Sequence, residues 1–507
     1  MTRASVNINV QDNGLGQQNP GNGNTLVVIG VGSGGSVPVN TPVTSQTAGA
    51  FIAAGGYGPG PQLAELILDE SGNEVVFVQA TATTPGTNTS VLTALANSGL
   101  STSAVTLSGM PVDTYYGLVT VLTTGTIGSS PGPTVGVSLD AGRGTFLTAS
   151  LGVGNTLVIP NTGLTLNFGA GLLKQGDQFY WLSTEPSASD ASISSAVQSL
   201  YSLPFGETPK DIYDAGCTAT GGDVTSFDTS MTALFNKRRY MRRYCSARDA
   251  LWGGTSTESE NAWIASIEAS HVNDSSLRVG VGAGHYNVTS PVDQVQYRRP
   301  AAWVAAVRDA SDPIQVDLGR VNDGALAPIV VPSQPTWPPA IQDPVPGSPD
   351  GFLYHDENAS PSLDAARFMT LCTYVGFPGF YVTSPNLMAP PGSDFNLLEH
   401  GAVIDAACLL WYLFATLRLR SGVRVGSNGF ILPKDQQSLQ LQGTQALRNV
   451  LTPGNVVSDV YVTVKSNDNI LSTNTLTTQV NVIPLGLLVV ISTTITFNNP
   501  ALAPQGG

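Results

Sequence analysis

The chain has 507 residues, with 22 Lys and Arg against 36 Asp and Glu, so that 11% are charged and the net charge is −14. About a quarter is usual for soluble proteins, so the surface must be mostly Gly, Ser, Thr, Asn and Gln, a skin that does little to keep copies apart. The length calls for three or four domains, and the acidic balance argues against a nucleic-acid protein, which builds phosphate contacts on Lys and Arg.

The opening "MTRASVNINVQDNG" has no apolar core of the kind a signal peptide needs. It carries a strand candidate with Val6, Ile8 and Val10 on one face, followed by the Gly/Asn/Gln-rich "QDNGLGQQNPGNGN", which reads as a flexible tether. A second strand, "TLVVIG", runs into "GVGSGG", and Gly30, Gly32 and Gly35 match a dinucleotide-binding GxGxxG. That motif needs a helix next and a carboxylate about 20 residues on. Prolines follow, and there is no carboxylate before Glu65, so a Gly-rich turn is the reading.

From about residue 50 to 185 short apolar runs separated by Gly, Pro and Asn predict a sandwich or barrel-like β module: "EVVFVQA", "GLVTVL", "TVGVSLD", "NTLVIP", "LTLNF" and "QFYWL". After "SASD", Ile193, Ala196, Val197, Leu200 and Tyr201 fall on one helical face. "DIYDAG", a long helix from about Val224 to Asp249, a helix opened by the Thr257–Glu260 capping-box spacing, and "LRVGVGAG" complete an α/β region. Within the long helix, "NKRRYMRRY" would set Arg238, Arg239, Arg242 and Arg243 on one arc, a candidate basic interface; a solvated face, an acidic protein neighbour and phosphate all remain open.

Residues 328–349 hold eight prolines and predict a stiff extended connector. The run from Gly401, "GAVIDAACLLWYLFATLRLRS", has only twelve uncharged residues between Asp405 and Arg418, short of the roughly 20 that cross a bilayer, and reads as a buried amphipathic helix. A further helix within "LPKDQQSLQLQGTQALRNVLTPG" and the strands "DVYVTVK", "LTTQVNVI" and "LLVVISTTITF" close the chain. In the last strand Leu487, Val489 and Ile491 belong to a segment apolar on both faces, while Ile495 and Phe497 alternate with threonines. A β-branched segment this strong near a chain end must pair with some sheet.

No GxSxG, HExxH or phosphate-loop sequence is present. "YHDENAS" groups His355, Asp356 and Glu357, and "LLEHG" sets Glu399 beside His400, but neighbours at i and i+1 point apart, and both read as polar loop residues. No catalytic, cofactor or metal site is expected. Cys217, Cys245, Cys372 and Cys408 are far apart, without metal or CxxC spacing, and read as reduced, mostly buried thiols suited to a reducing cytoplasm.

The run from "VSLDAGRGTFLTASLGVGNTLVIP" through "GDQFYWLSTEPSASDASISSAVQSL" resembles a segment of contractile bacteriophage tail sheath proteins, as do "GFPGFYVTSPNLMAPPGSDFNLLEHGAVIDAACLLWYLFATLRL" and "VYVTVKSNDNILSTNTLTTQVNVIPLGLLVVISTTITFNNP". The ordered set, covering roughly the last three-quarters of the chain, carries the resemblance more than any one motif. It implies an α+β multidomain fold: an α/β inner core built from both chain ends with swapped terminal strands, an inserted β-rich module and an α/β outer module. The expected division is an arm and first core strand in 1–50, the β module in 51–185, an α/β module in 186–327, a Pro-rich linker in 328–350 and the sheath core in 351–507.

The function implied is that of a structural subunit, not an enzyme. Such subunits form stacked hexameric rings around a tail tube and contract to drive it through a bacterial envelope. The expected partners are further copies of the chain, the tail tube, the baseplate and the tail terminator, in a virion assembled in the host cytoplasm, with no nucleic acid and no stable membrane insertion. Sheath subunits often have a longer tail than the ten residues after Phe497, so the last strand could serve its own subunit's sheet while the amino terminus supplies the swapped arm. A β-rich tail fibre or glycan depolymerase is the alternative, for which paired carboxylates in a groove would be expected.

Overall fold

Leu26–Gly30, five consecutive buried residues, forms a central strand of a six-stranded sheet. In spatial order the strands are Val279–Gly282, Arg242–Ala247, Asp211–Ala219, Leu26–Gly30, Val75–Gln79 and Pro42–Ser45. The first five are parallel and Pro42–Ser45 is an antiparallel edge. Parallel strands need both faces covered, which is why these runs are apolar without alternation. The computed structural model describes residues 24–94, 97–152, 154–203, 209–250, 258–326, 362–390 and 392–487. Val6, Ile8, Val10, Val489, Ile491, Ile495 and Phe497, the Pro-rich connector and the His355–Glu357 cluster lie outside them.

Two helices, α1 (Ala50–Gly55) and α2 (Pro59–Ser71), stand where short strands were expected, and "EVVFVQA" supplies the Val75–Gln79 strand of the central sheet. The Gly-rich turn explains this. A Cβ on Gly30 would lie 2.5 Å from Gly60 Cα, so both glycines are needed for α2 to start against the end of the central strand. Pro59 suits the first turn of α2, where its missing N–H costs nothing. Further helices are α3 (Asp190–Ser199), α4 (Asp223–Asn236), α5 (Glu260–His271) and α6 (Ala301–Ser311). Helices α2 and α6 pack together against the sheet, as do α3 and α4.

The helix expected over Val224–Asp249 ends at Asn236. Arg238 adopts φ 63°, a left-handed turn that stops it, and Arg242–Ala247 continues as a wholly buried strand. "DIYDAG" is likewise strand, part of Asp211–Ala219. The cap of α5 is Ser259, whose Oγ accepts from the Ala262 amide; Thr257 lies outside the described residues.

Between Thr81 and Ala188 the chain builds a β module. One antiparallel sheet runs Leu147–Ser150, Thr134–Ser138, Tyr115–Val121, Gln178–Thr184 and Thr87–Asn88; a second runs Thr156–Ile159, Leu164–Phe168 and Val105–Gly109. Their apolar residues, among them Val119, Val137, Leu166 and Phe168, share a core with Trp181. Trp181 pairs across the ladder with Gly117, where any Cβ would meet the indole at 2.0 Å.

The C-terminal part begins with a hairpin, Leu371–Tyr374 and Phe377–Val382. Helices α7 (Leu398–Thr416) and α8 (Pro433–Leu451) follow and pack against a two-stranded ladder, Asp459–Val464 with Thr478–Ile483. Val403, Leu410, Leu447, Val460 and Val462 form its own core. By length and composition α7 could span a bilayer, yet Val403, Ala407 and Leu410 are buried in this core and Asp405 is bound to Arg242. The whole is a mixed α+β fold with several separate sheets.

Candidate functional site

Among the described residues no three His, Cys, Asp or Glu side chains are grouped to hold a metal. Glu399 is buried in the first turn of α7, and burial, reinforced by Asp317, pushes its carboxyl up to about 8. Cys217, Cys245 and Cys372 are buried and Cys408 is partly so, and none of the four forms a disulfide. Burial pushes the Cys217 thiol up to about 12 and that of Cys408 to about 11, which leaves them protonated and unreactive.

The four arginines of the basic stretch do not share a face. Arg242 pairs with Asp405 at 2.5 Å, joining the central sheet to α7, and a Cβ on Gly401 would overlap its guanidinium. Arg243, on the other side of the strand, pairs with Asp214 at 2.6 Å and lies 3.6 Å from the centre of the Phe227 ring. Arg239 is buried and donates to the Leu203 carbonyl. Arg238 sits over the Tyr412 ring of α7, 5.3 Å from its centre. The strand alternation that separates Arg242 from Arg243 is the reason no common basic arc exists.

The residues of the β module and the α/β body meet around a cleft of about 370 Å³ beyond the carboxyl ends of the Asp211–Ala219 and Arg242–Ala247 strands. Arg298, Arg299 and Pro300 of the strand Gln296–Pro300, "QYRRP", line it with Glu185, Asp214 and Asp249, and the two arginines bind different partners. Arg298 Nε donates to Asp249 at 2.7 Å. Burial opposes ionisation of Asp249, but Arg298 and His285 hold its carboxyl well below the usual range. Burial, reinforced by both arginines, lowers His285 to about 4, so the imidazole is neutral.

Arg299 is 2% exposed and binds three side chains: Asp113 at 2.7 Å, Glu185 at 3.0 Å and Gln62 at 2.7 Å. Burial, partly offset by Arg299 and reinforced by Asp113, pushes Glu185 up to about 7. Sequence reasoning missed this cluster. Its signal was two adjacent arginines in a short, mostly buried strand, where a charge must find a partner.

The C-terminal ladder offers a different kind of site. Val462 and Val464 donate their amides to Thr444 Oγ1 and Gln440 Oε1 of α8, so that edge of the Asp459–Val464 strand is capped by side chains. The Lys465 amide bonds the Thr477 carbonyl, which fixes Thr463 opposite Gln479 and Tyr461 opposite Asn481 as the hydrogen-bonded pairs. The amides of Val480 and Val482 therefore face outward, and among the described residues no further strand pairs with them. Of the expected strand residues, Leu487 alone lies within the described chain, beyond the end of this strand.

No curated protein matches the sequence. Among solved structures the chain is similar to a sheath tail protein from Desulfitobacterium hafniense, at 11% identity and a TM-score of 0.42, covering 95% of this chain and 100% of that one. A sheath tail protein from Listeria innocua gives 13% identity and a TM-score of 0.42, covering 92% and 96%. The contracted PVC sheath of an extracellular contractile injection system gives 10% and 0.39, covering 60% and 75%. The family model described as "DUF2586, N-terminal domain" matches residues 3–386, and the chain belongs to that family.

Proposed function

We propose that this chain is a structural subunit of a contractile tail sheath. It polymerises as stacked hexameric rings around an inner tube and shortens to drive the tube through a bacterial envelope. The observation that carries the reading is the outward edge of Thr478–Ile483, whose alternate amides and carbonyls point away from Asp459–Val464 and are met by no other strand among the described residues. A two-stranded sheet gains most from an added strand, which binds through main-chain hydrogen bonds with register set by alternate side chains. The alternating Val6, Ile8 and Val10 on a Gly/Asn/Gln-rich tether, and the segment from Leu487 to Phe497, have the form of such strands.

The ordered sheath-like segments in the sequence support the same reading. So does the low charge, which lets copies pack side by side. Carboxylates lining the cleft are ion-paired to arginines, as suits a load-bearing structure rather than glycan hydrolysis. In this reading the work of contraction comes from strain and interface area stored at assembly. The tail tube, baseplate and terminator are the partners, and the particle is a virion assembled in the host cytoplasm.

Negative-stain microscopy of the purified protein tests the proposal, with tubes or rings expected. Removal of residues 1–12 should leave a folded subunit that no longer forms long polymers. Full-length tubes from that deletion would exclude the arm, and discrete monomers or trimers of the intact chain would overturn the sheath reading.

A further inference from the structure

Thr81–Thr84 leaves the α/β body and Glu185–Ala188 returns to it as two adjacent segments. They are joined by the Thr84–Ser187 bridge, with Thr83 and Thr84 donating to the Ser187 carbonyl and Ser187 to Thr84. The Ala188 amide then bonds the Gly216 carbonyl of the body. This narrow neck joins the two sides covalently. Away from it, Val295 and Tyr297 of the body lie in the β module's core, and the Arg299 cluster ties Asp113 and Glu185 of the module to Gln62 of α2. The Arg299 guanidinium also lies 4.6 and 4.5 Å from the ring centres of Tyr297 and Trp303.

We infer that Arg299 is a latch: through Asp113 of the module and Gln62 of α2 it fixes the orientation of the β module, and when those contacts are lost the module pivots as a unit about the neck. Three observations converge on this. The module's hydrophobic core is separate from that of the central sheet and, Val295 and Tyr297 apart, is built from the module's own residues. Its covalent connection is confined to one pair of strands, the geometry of a hinge. A cleft of about 370 Å³ lies between it and the body beside the latch. The inference stands whether or not the chain polymerises.

The latch also has a direction with pH. Glu185 retains 29% side-chain exposure and meets Arg299 from Gln296–Pro300 and Asp113, Thr114 and Tyr115 from its own module, while Gln62 of α2 binds the same guanidinium. Asp249, Arg298, His285 and Asp214 line the same cleft, and Asp293 accepts a hydrogen bond from the Tyr297 hydroxyl. A carboxyl raised to about 7 in the latched state binds its proton more tightly there than in water. Low pH therefore favours the latch, and a rise through 7 loosens it. His285, lowered to about 4, and Asp249, held lower still, do not titrate in that window.

Hydrogen exchange on the full chain tests this, with rates corrected for intrinsic base catalysis. In Arg299→Gln the neck amides of Thr83, Thr84, Ser187 and Ala188 should exchange about tenfold faster, while Val119 and Trp181 in the module and Val27 and Val28 in the body keep their protection. In the unmodified chain the neck should exchange faster as pH rises from 6 to 8, and Glu185→Gln should abolish that trend. Neck exchange unchanged in Arg299→Gln would overturn the latch, as would a Glu185→Gln chain that keeps the original pH profile. If Arg299→Gln exposes both cores together, the Glu185→Gln profile decides alone.

Discussion

The central sheet and the C-terminal ladder are both made of Val-rich strands, but they complete their hydrogen bonding in different ways. In the central sheet Leu26–Gly30 has strands on both sides and helices over it. At the Val279–Gly282 edge, the Val279 carbonyl accepts from Met388 and the Val281 carbonyl from Met369. The C-terminal ladder closes one edge with α8 side chains and leaves the other directed outward. An edge of that kind invites pairing with another chain unless the fold prevents it. The contrast assigns the two regions different tasks: one resists deformation, and the other has capacity for a further strand.

Several substitutions would test that contrast. The largest effect should come from Arg243→Met, which strands Asp214 in the body of the central sheet. Loss of one partner of a buried pair costs about 3–5 kcal/mol, to be read by denaturant unfolding. If stability is unchanged, the sheet is not held as described.

Glu399, where α7 meets the body, comes next. Its folded value of about 8 lies above the ordinary 4.5, so its contribution is full below 4.5 and is lost as pH rises through 8. The change amounts to a few kcal/mol. Glu399→Gln should flatten the pH dependence of the unfolding midpoint across that window.

Gly30→Ala should cost about 1–3 kcal/mol by overpacking, since its Cβ meets Gly60 backbone that cannot move aside easily. In the ladder, Val480→Pro removes an outward amide, so it should leave the unfolding midpoint nearly unchanged while abolishing polymers in sedimentation. Asn481→Pro, which removes an inward amide bond, should loosen the ladder itself. Equal effects of the two prolines would show that the edge is not free. Smallest of all, Arg448→Ala breaks an exposed pair with Asp459 and should not move the midpoint measurably.

Periodicity made much of this architecture legible. The strands of the β module, α3, the buried helix α7, α8 and the two strands of the final ladder all follow from alternation or helical spacing. Where two rules competed, the reading failed. "FNKRRYMRRYCSA" has the composition of a helix, and only the left-handed turn at Arg238 ends it, a conformation that arginine rarely adopts and that no local pattern announces. Helices α1 and α2 were hidden by glycines and two prolines, which ordinarily mark loops but here permit close helix–strand packing. The Arg299 cluster joins residues 62, 113, 185 and 299, separations at which a single sequence holds no pairing information.

The neck carries an evolutionary corollary. Because the chain departs at Thr81 and comes back at Ala188 through one spot, the intervening stretch can be exchanged for another fold, provided the replacement covers Val295 and Tyr297 and pairs Arg299. A lineage could thus vary what it displays there while conserving the parallel-stranded chassis together with Arg299.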